Sequence, residues 1–304
     1  MADSVLIIGA TGTVGAATMD ALRTAGAQPI AFTRDPERAT ALFGRRTPLR
    51  VGDLADEASV RAALEGVDAV LLCSGHGPAM REQQLTAIRA VEASDVSRVV
   101  KISGSPVSIK ADSPASTGRD HHAVEEALRA IGRVNVAIRP NPFMQNFLEQ
   151  APAVAGGALP APTGELRVSF VDARDIGRVA ASALLCTEPP EPVLELTGPE
   201  ALTWSDVAAI MSDALGRSIT EYPTPPDVLR QALLGMGRPE WLVEHMLELM
   251  AVLREPEAAQ VTDTVEQITR QPATTLREFL ADYNSAFART TSTAPAAPST
   301  IHAA

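Results

Sequence analysis

Short apolar runs alternate with amphipathic stretches over the first half of the chain. Residues 5–8, 30–33, 49–51, 69–73, 99–102 and 134–138 are rich in Val, Ile and Leu and barely alternate in polarity. A strand with one solvated face alternates apolar with polar side chains. One covered on both faces does not, so these runs read as strands of a parallel sheet sandwiched between helices. Between them, residues 14–24, 36–43, 57–65, 79–93 and 119–130 carry apolar positions at helical spacing. Strand–helix alternation with short loops implies right-handed crossovers and an α/β, doubly wound sheet.

After Pro140 the rhythm changes. Pro and Gly cluster through residues 152–164, which reads as a loop or lid. A strand-like stretch at 166–170, a helix from Asp172 and a strand at 193–196 follow. Thr203-Trp-Ser-Asp206 has the form of a helix start, and Thr275-Leu-Arg-Glu278 is a capping-box pattern. Residues 241–253 read as an amphipathic helix whose Met side chains are packing. The tail from Thr290 is Ala, Pro, Ser and Thr, a composition expected to be disordered.

Composition narrows the classes. A formal net charge of −11 over 304 residues argues against nucleic acid or an anionic membrane as partner. The two cysteines, Cys73 and Cys186, lie far apart, which leaves no disulfide framework or zinc pattern and points to a reducing cytoplasm. No stretch approaches the roughly 18 apolar residues of a membrane span. Lysine occurs only at 101 and 110, which reads as a codon-composition bias.

The first run ends in Ile8-Gly9-Ala10-Thr11-Gly12-Thr13-Val14-Gly15. Glycines at relative positions 1, 4 and 7 between a strand and a helix permit the tight turn, the approach of a pyrophosphate and close helix–strand packing. The amides and positive dipole of the helix start then meet the phosphates. This predicts a Rossmann-type nucleotide site made by Gly9, Thr11, Gly12, Thr13, Val14 and Gly15. Arg34 stands just past the second strand, with Arg38 one helical turn on. Arg there pairs with a 2′-phosphate and selects NADP(H); the other reading is a solvated Arg beside an Asp35 that binds ribose. Asp53 after the third strand either bonds the adenine amino group or caps the following helix. Cys73 and Ser74 end the fourth strand near the crevice where adenine ribose and nicotinamide meet. The expected organisation is a nucleotide-binding domain over 1–150, to which 166–197 return, and a smaller, mostly helical substrate lobe over 151–289. A disordered tail covers 290–304.

The GxxGxxG spacing resembles that of short-chain dehydrogenases, and three further runs narrow the likeness. Arg139-Pro-Asn-Pro-Phe-Met-Gln-Asn-Phe147 resembles the RP-x-x-F-M-x-N segment of the NmrA-like, atypical branch. Phe170-Val-Asp-Ala-Arg-Asp-Ile176 is similar to its F-V-D-x-x-D-I/V element and Leu196-Thr-Gly-Pro-Glu200 to its L-T-G-P-E. The likeness spans residues 4 to about 288. It implies type-2 quinone oxidoreductases, azoreductase-like proteins, isoflavone-type and phenylcoumaran reductases, or redox sensors without catalysis.

The resemblance also exposes a departure. Short-chain dehydrogenases use Tyr-x-x-x-Lys, whereas the only tyrosines here, Tyr222 and Tyr283, precede Pro226 and Phe287 at that spacing. In the corresponding helix, His122 falls at the Lys position, or His121 in the phenylcoumaran-type alignment. Either could bond the nicotinamide ribose or donate a proton, or both could cap the helix or face solvent. Ser103 follows the fifth strand, as a substrate-polarising hydroxyl or a turn residue, and Lys101 is expected to point away from Ser103's neighbours. His76 either touches substrate or stands by. Pro140, Asn141 and Phe143 are expected to bracket the nicotinamide, with Met144, Phe147 and the 152–164 loop as an apolar wall. The expectation is an NADPH-dependent reductase of a conjugated small molecule (quinone, azo compound, enone or imine), as monomer or homodimer. An NADP(H)-sensing regulator and a tailoring reductase of a biosynthetic pathway stay open beside it.

Overall fold

The computed structural model of the chain describes residues 4–188 and 191–288. In chain order the first half holds β1 (Val5–Ile8), α1 (Thr13–Thr24), β2 (Ile30–Thr33), α2 (Pro36–Phe43), β3 (Leu49–Val51) and α3 (Glu57–Ala63). It continues with β4 (Ala69–Leu72), α4 (Met80–Glu92), β5 (Arg98–Ile102), α5 (Ser116–Ala130) and β6 (Val134–Pro140). The second half holds α6 (Asn146–Glu149), α7 (Ala151–Ala155), β7 (Ala158–Pro162), β8 (Arg167–Val168), α8 (Ala173–Leu185) and β9 (Val193–Leu196). Then come β10 (Leu202–Thr203), α9 (Trp204–Leu215), β11 (Thr220–Thr224), α10 (Pro226–Gly235), α11 (Glu240–Val252), α12 (Thr264–Thr269) and α13 (Leu276–Asp282).

Seven strands pair in parallel in the order β3-β2-β1-β4-β5-β6-β9. The order reverses direction between β1 and β4, and the carboxyl ends of those strands open a crevice there. The unalternating strands have the cause inferred from their sequence. Along β1, Val5 and Ile7 pack into one cluster with α1 and α8, whereas Leu6 and Ile8 join the opposite cluster with α3, α4 and α5. Every residue of β1 is therefore buried, and none needs to be polar.

A third apolar cluster holds the rest of the chain together. Phe147, Phe170, Trp204, Phe279 and Phe287 meet there, with Phe147 and Phe170 rings 4.9 Å apart. Two-stranded sheets, β7 with β11 and β8 with β10, flank it, while α8 and β9 run back to the main sheet. Both capping patterns close as full boxes: Thr203 with Asp206 and Thr275 with Glu278 exchange backbone and side-chain bonds.

The segment 152–164 is not a free loop. Pro152 sits in the first turn of α7, where its missing N–H costs nothing. Pro160 and Pro162 lie in β7, whose only partner strand among the described residues is β11, so the open edge tolerates proline. The strand expected over 166–170 shrinks to β8, because Ser169 instead serves the loop at Ala258–Gln260. The helix expected from 119 starts at Ser116. The tail from 290 lies outside the described residues.

Candidate active site

The glycine turn fits a pyrophosphate. Gly9 has φ +79°, and a Cβ there would stand 1.5 Å from the Cys73 carbonyl oxygen. A Cβ on Gly15 would meet the Gly9 carbonyl oxygen at 2.1 Å. The turn therefore lies hard against β4, and only glycine lets the chain enter α1 at this angle. Gly12 begins α1 without a side-chain cap, which leaves the first amides of a 12-residue helix for an anion. Thr11 is half-buried, Thr13 exposed and Val14 buried beneath the turn. Cys73 and Ser74 continue the floor. Burial pushes the Cys73 thiol up to about 12, so it stays neutral, and the Ser74 hydroxyl accepts a bond from buried Gln84.

At the other end of the turn, Asp35 is already engaged. Its carboxylate caps α2 by accepting the Arg38 amide at 2.9 Å. Arg34 is exposed and lies 4.0 Å from Asp53, and Arg38 reaches back to the Thr11 carbonyl. Asp53 does not cap the following helix. Asp56 does, by accepting the Ala58 amide, while Asp53 accepts the Ala55 amide one turn earlier.

Three sequence runs converge past β6. The backbone of Pro142 and Met144 pairs with that of Val171, and Asn141 donates its amide to Leu196. Gln145 bridges to the carboxylate and first amide of α8, through Asp172 and Ala173. Asn141, expected beside the nicotinamide, spends its side chain elsewhere. It accepts from Ser105 and donates to Ser169 and to the Ala258 carbonyl, tying the β5 loop to the second half. Met144 and Phe147, expected as a substrate wall, are 1% and 2% exposed and belong to the third core cluster. Pro140 is buried, and half-buried Phe143 packs on the core beneath α1 and α8.

A buried polar network occupies the carboxyl end of β5. Lys101 does not point away from Ser103's neighbours, since residues two apart on a strand share a face. Its Nζ, on a side chain with no solvent exposure, donates to the Ser103 hydroxyl at 3.2 Å and the Ile102 carbonyl at 3.3 Å, and lies 2.9 Å from His121 Nδ1. The Ser103 hydroxyl donates to Glu125 at 2.6 Å, and Arg139 holds both carboxylate oxygens of Glu125. Burial lowers Lys101 to about 7, against the pull of the Glu125 carboxylate and with the help of Arg139. Burial also drives His121 well below its ordinary value, aided by Lys101, His76 and His245. For Glu125, burial raises the pKa, but bonds from Arg139 and Ser103 outweigh it and hold the group below the usual carboxylate range.

His121 is 3% exposed and its Nε2 has no hydrogen-bond partner. A buried, unsatisfied ring nitrogen costs on the order of 1–3 kcal/mol. His122, the next residue, is half-buried and turned toward Glu126 at 4.0 Å. His76, exposed in the loop after β4, packs edge-on to His121 with ring centres 5.7 Å apart. The other face of the cluster comes from the second half. His245 on α11 lies against the His76 ring at 4.8 Å and hydrogen-bonds Thr117 at 3.2 Å. Three residues on, Glu248 accepts from both the amide and hydroxyl of Ser116 and so closes the otherwise uncapped start of α5.

The structure thus brings His121, Ser103 and His76 together and leaves His122 to one side. Lys101, Glu125, Arg139, His245 and Glu248 were not singled out from sequence as site residues. A lone lysine inside the apolar run 99–102, and the four-residue spacing of His121 and Glu125, were the available signals. His245 and Glu248 had none.

A glycine turn at the switch point of a seven-strand parallel sheet, with a buried acid–base cluster beside it, defines a dinucleotide-binding oxidoreductase fold. The NmrA-like family model matches residues 1–284, and the chain belongs to that family. It is 34% identical over 284 residues to the NAD(P)H azoreductase of Xenophilus azovorans, covering 93% of this chain and 99% of the relative. It is 33% identical over 285 residues to the (4-alkanoyl-5-oxo-2,5-dihydrofuran-3-yl)methyl phosphate reductase of Streptomyces griseus, with the same coverage of 93% and 99%. Among solved structures, the NADPH-dependent quinone oxidoreductase of Escherichia coli complexed with NADPH superposes with a TM-score of 0.83 at 25% identity. That match covers 92% of this chain and 99% of the other. By family the chain stands among NAD(P)H-dependent oxidoreductases. No helix among the described residues is long and apolar enough to cross a membrane.

Proposed function

We propose that the protein is an NADPH-dependent reductase of a conjugated small molecule (a quinone, azo compound, enone or imine) and that His121 protonates the reduced acceptor. The unpartnered, buried Nε2 of His121 carries this reading. When bound, the reduced nicotinamide supplies a hydride. His121 Nδ1 accepts a hydrogen bond from Lys101, which places the ring proton on Nε2, the atom left free. His121 therefore offers a donor at the strand ends beside the crevice, and the surrounding burial excludes water that would compete for it.

The choice of acceptor rests on two supports. No Tyr-x-x-x-Lys pair is present to polarise an isolated ketone, whereas a conjugated acceptor spreads the incoming charge and can react through positioning. The three relatives above carry azo, oxo-dihydrofuran and quinone in their names, each a conjugated system. NADPH is favoured over NADH by exposed Arg34, with Asp35 committed to its helix cap and so withdrawn from ribose. We place the reaction in the cytoplasm, in a monomer or homodimer.

The test is oxidation of NADPH and, separately, NADH by the purified protein with a panel of quinones, azo dyes, enones and imines. Acceptor-dependent turnover preferring NADPH is the expected result. Tight NADPH binding with no turnover across the panel would overturn it in favour of a nucleotide-sensing role.

A further inference from the structure

His121 alone is an incomplete acid. A neutral imidazole that gives up its only N–H becomes an anion unless its other nitrogen gains a proton in the same event. The structure puts one proton source at that other nitrogen: Lys101 Nζ, 2.9 Å from Nδ1. Its remaining neighbours suit an ammonium, since the Ser103 hydroxyl and the Ile102 carbonyl oxygen complete three acceptors for three N–H groups. Ser103 is free to accept because its own proton goes to Glu125.

We infer that Lys101 is the proton reservoir of the site, passing a proton to His121 Nδ1 as Nε2 delivers one to the reduced acceptor. This rests on the reductase reading above. In the step, the Lys101 N–H bond and the His121 Nε2–H bond break. A bond from Nδ1 to hydrogen and one from the acceptor to hydrogen form. The ammonium becomes an amine, the imidazole stays neutral with its tautomer exchanged, and the acceptor's negative charge is cancelled. No other reactant is required.

The rest of the network has a matching role. Arg139 keeps Glu125 ionised, and Glu125 fixes the Ser103 rotor so that its lone pairs face Lys101. The charged and titratable groups around Lys101 are Glu125 and His121 on α5, Cys73 at the end of β4 and Arg139 on β6, with His76 and His245 beyond His121. Burial sets Lys101 near 7, so at neutral pH it can both hold and release a proton, the condition for an efficient acid. Lys101 acts through His121 and is a positioning residue as well as a proton store.

The ammonium is the competent form, so turnover is full below about 7 and falls as pH rises through it. Lys101→Met and Lys101→Arg both lose that alkaline limb and drop kcat by about 100-fold, while KM for NADPH moves little. Arg keeps the charge but does not release its proton. A second readout needs neither cofactor nor turnover. The chain has two lysines, 101 and 110, so carbon-13 labelling gives two side-chain ε-methylene NMR signals. The Lys101 signal is expected to titrate near 7 and to vanish in Lys101→Met. A Lys101 titration in the ordinary range near 10 would overturn the inference. So would a Lys101→Arg enzyme with wild-type kcat and an intact alkaline limb. Failure of the wild type to reduce any acceptor would sink the reductase reading instead, while the NMR titration still decides Lys101.

Discussion

The nucleotide turn and the acid–base cluster lie within one crevice, yet they are built in opposite ways. The turn is a single local stretch, Gly9 to Gly15, whose chemistry is backbone amides and the absence of side chains. The cluster assembles Lys101 from β5, His121 and Glu125 from α5, Arg139 from β6, His76 from a loop and His245 from α11. A backbone site tolerates drift almost everywhere except at its glycines. A side-chain site distributed over five segments depends on the fold to bring them together, and each member can be changed without disturbing the turn.

Gly9→Ala should break the comparison most severely. The added Cβ falls on the Cys73 carbonyl at an unfavourable positive φ, so NADPH affinity, read by fluorescence titration, should fall by about 100-fold or more. His121→Gln tests the opposite end of the crevice. It should lower kcat by about 100-fold in steady-state assays while the NADPH dissociation constant stays within a few-fold. Arg34→Ala sharpens the nucleotide side, with KM for NADPH rising about tenfold and that for NADH unchanged, because a charge-assisted bond to the 2′-phosphate is lost. Glu248→Gln should have the smallest effect. It weakens the cap on α5 by about 1 kcal/mol, a melting-temperature loss of a few degrees by calorimetry.

The same contrast explains what could be read in advance. Residues 5–8 announced a strand covered on both faces because no polar residue interrupts them, and the glycine spacing that follows is a contiguous pattern. Capping boxes at Thr203 and Thr275 were equally local. Lys101 was visible but misjudged: it was expected to point away from Ser103's neighbours, although its two-residue spacing from Ser103 puts both on one face. Met144 and Phe147 belong to a motif of the substrate side yet turn into the core, since backbone bonds to Val171 and Leu196 decide which way that run faces. Residues 152–164 hid a helix and a strand because proline suits a first turn and an open edge as well as it suits a loop. His245 and Glu248 could not be found at all, since nothing near them in sequence refers to α5.

That last contact bears on the order in which the chain becomes competent. Glu248 closes the first turn of α5 from 132 residues further along the chain. During synthesis the glycine turn and most of the parallel sheet can form from early, mostly short-range segments, whereas the helix that carries His121 receives its final bonds only after α11 has emerged and docked. Under the proposed function, nucleotide binding can thus precede catalytic competence in the life of each molecule, with docking of the C-terminal half as the late step that completes the proton-donating side.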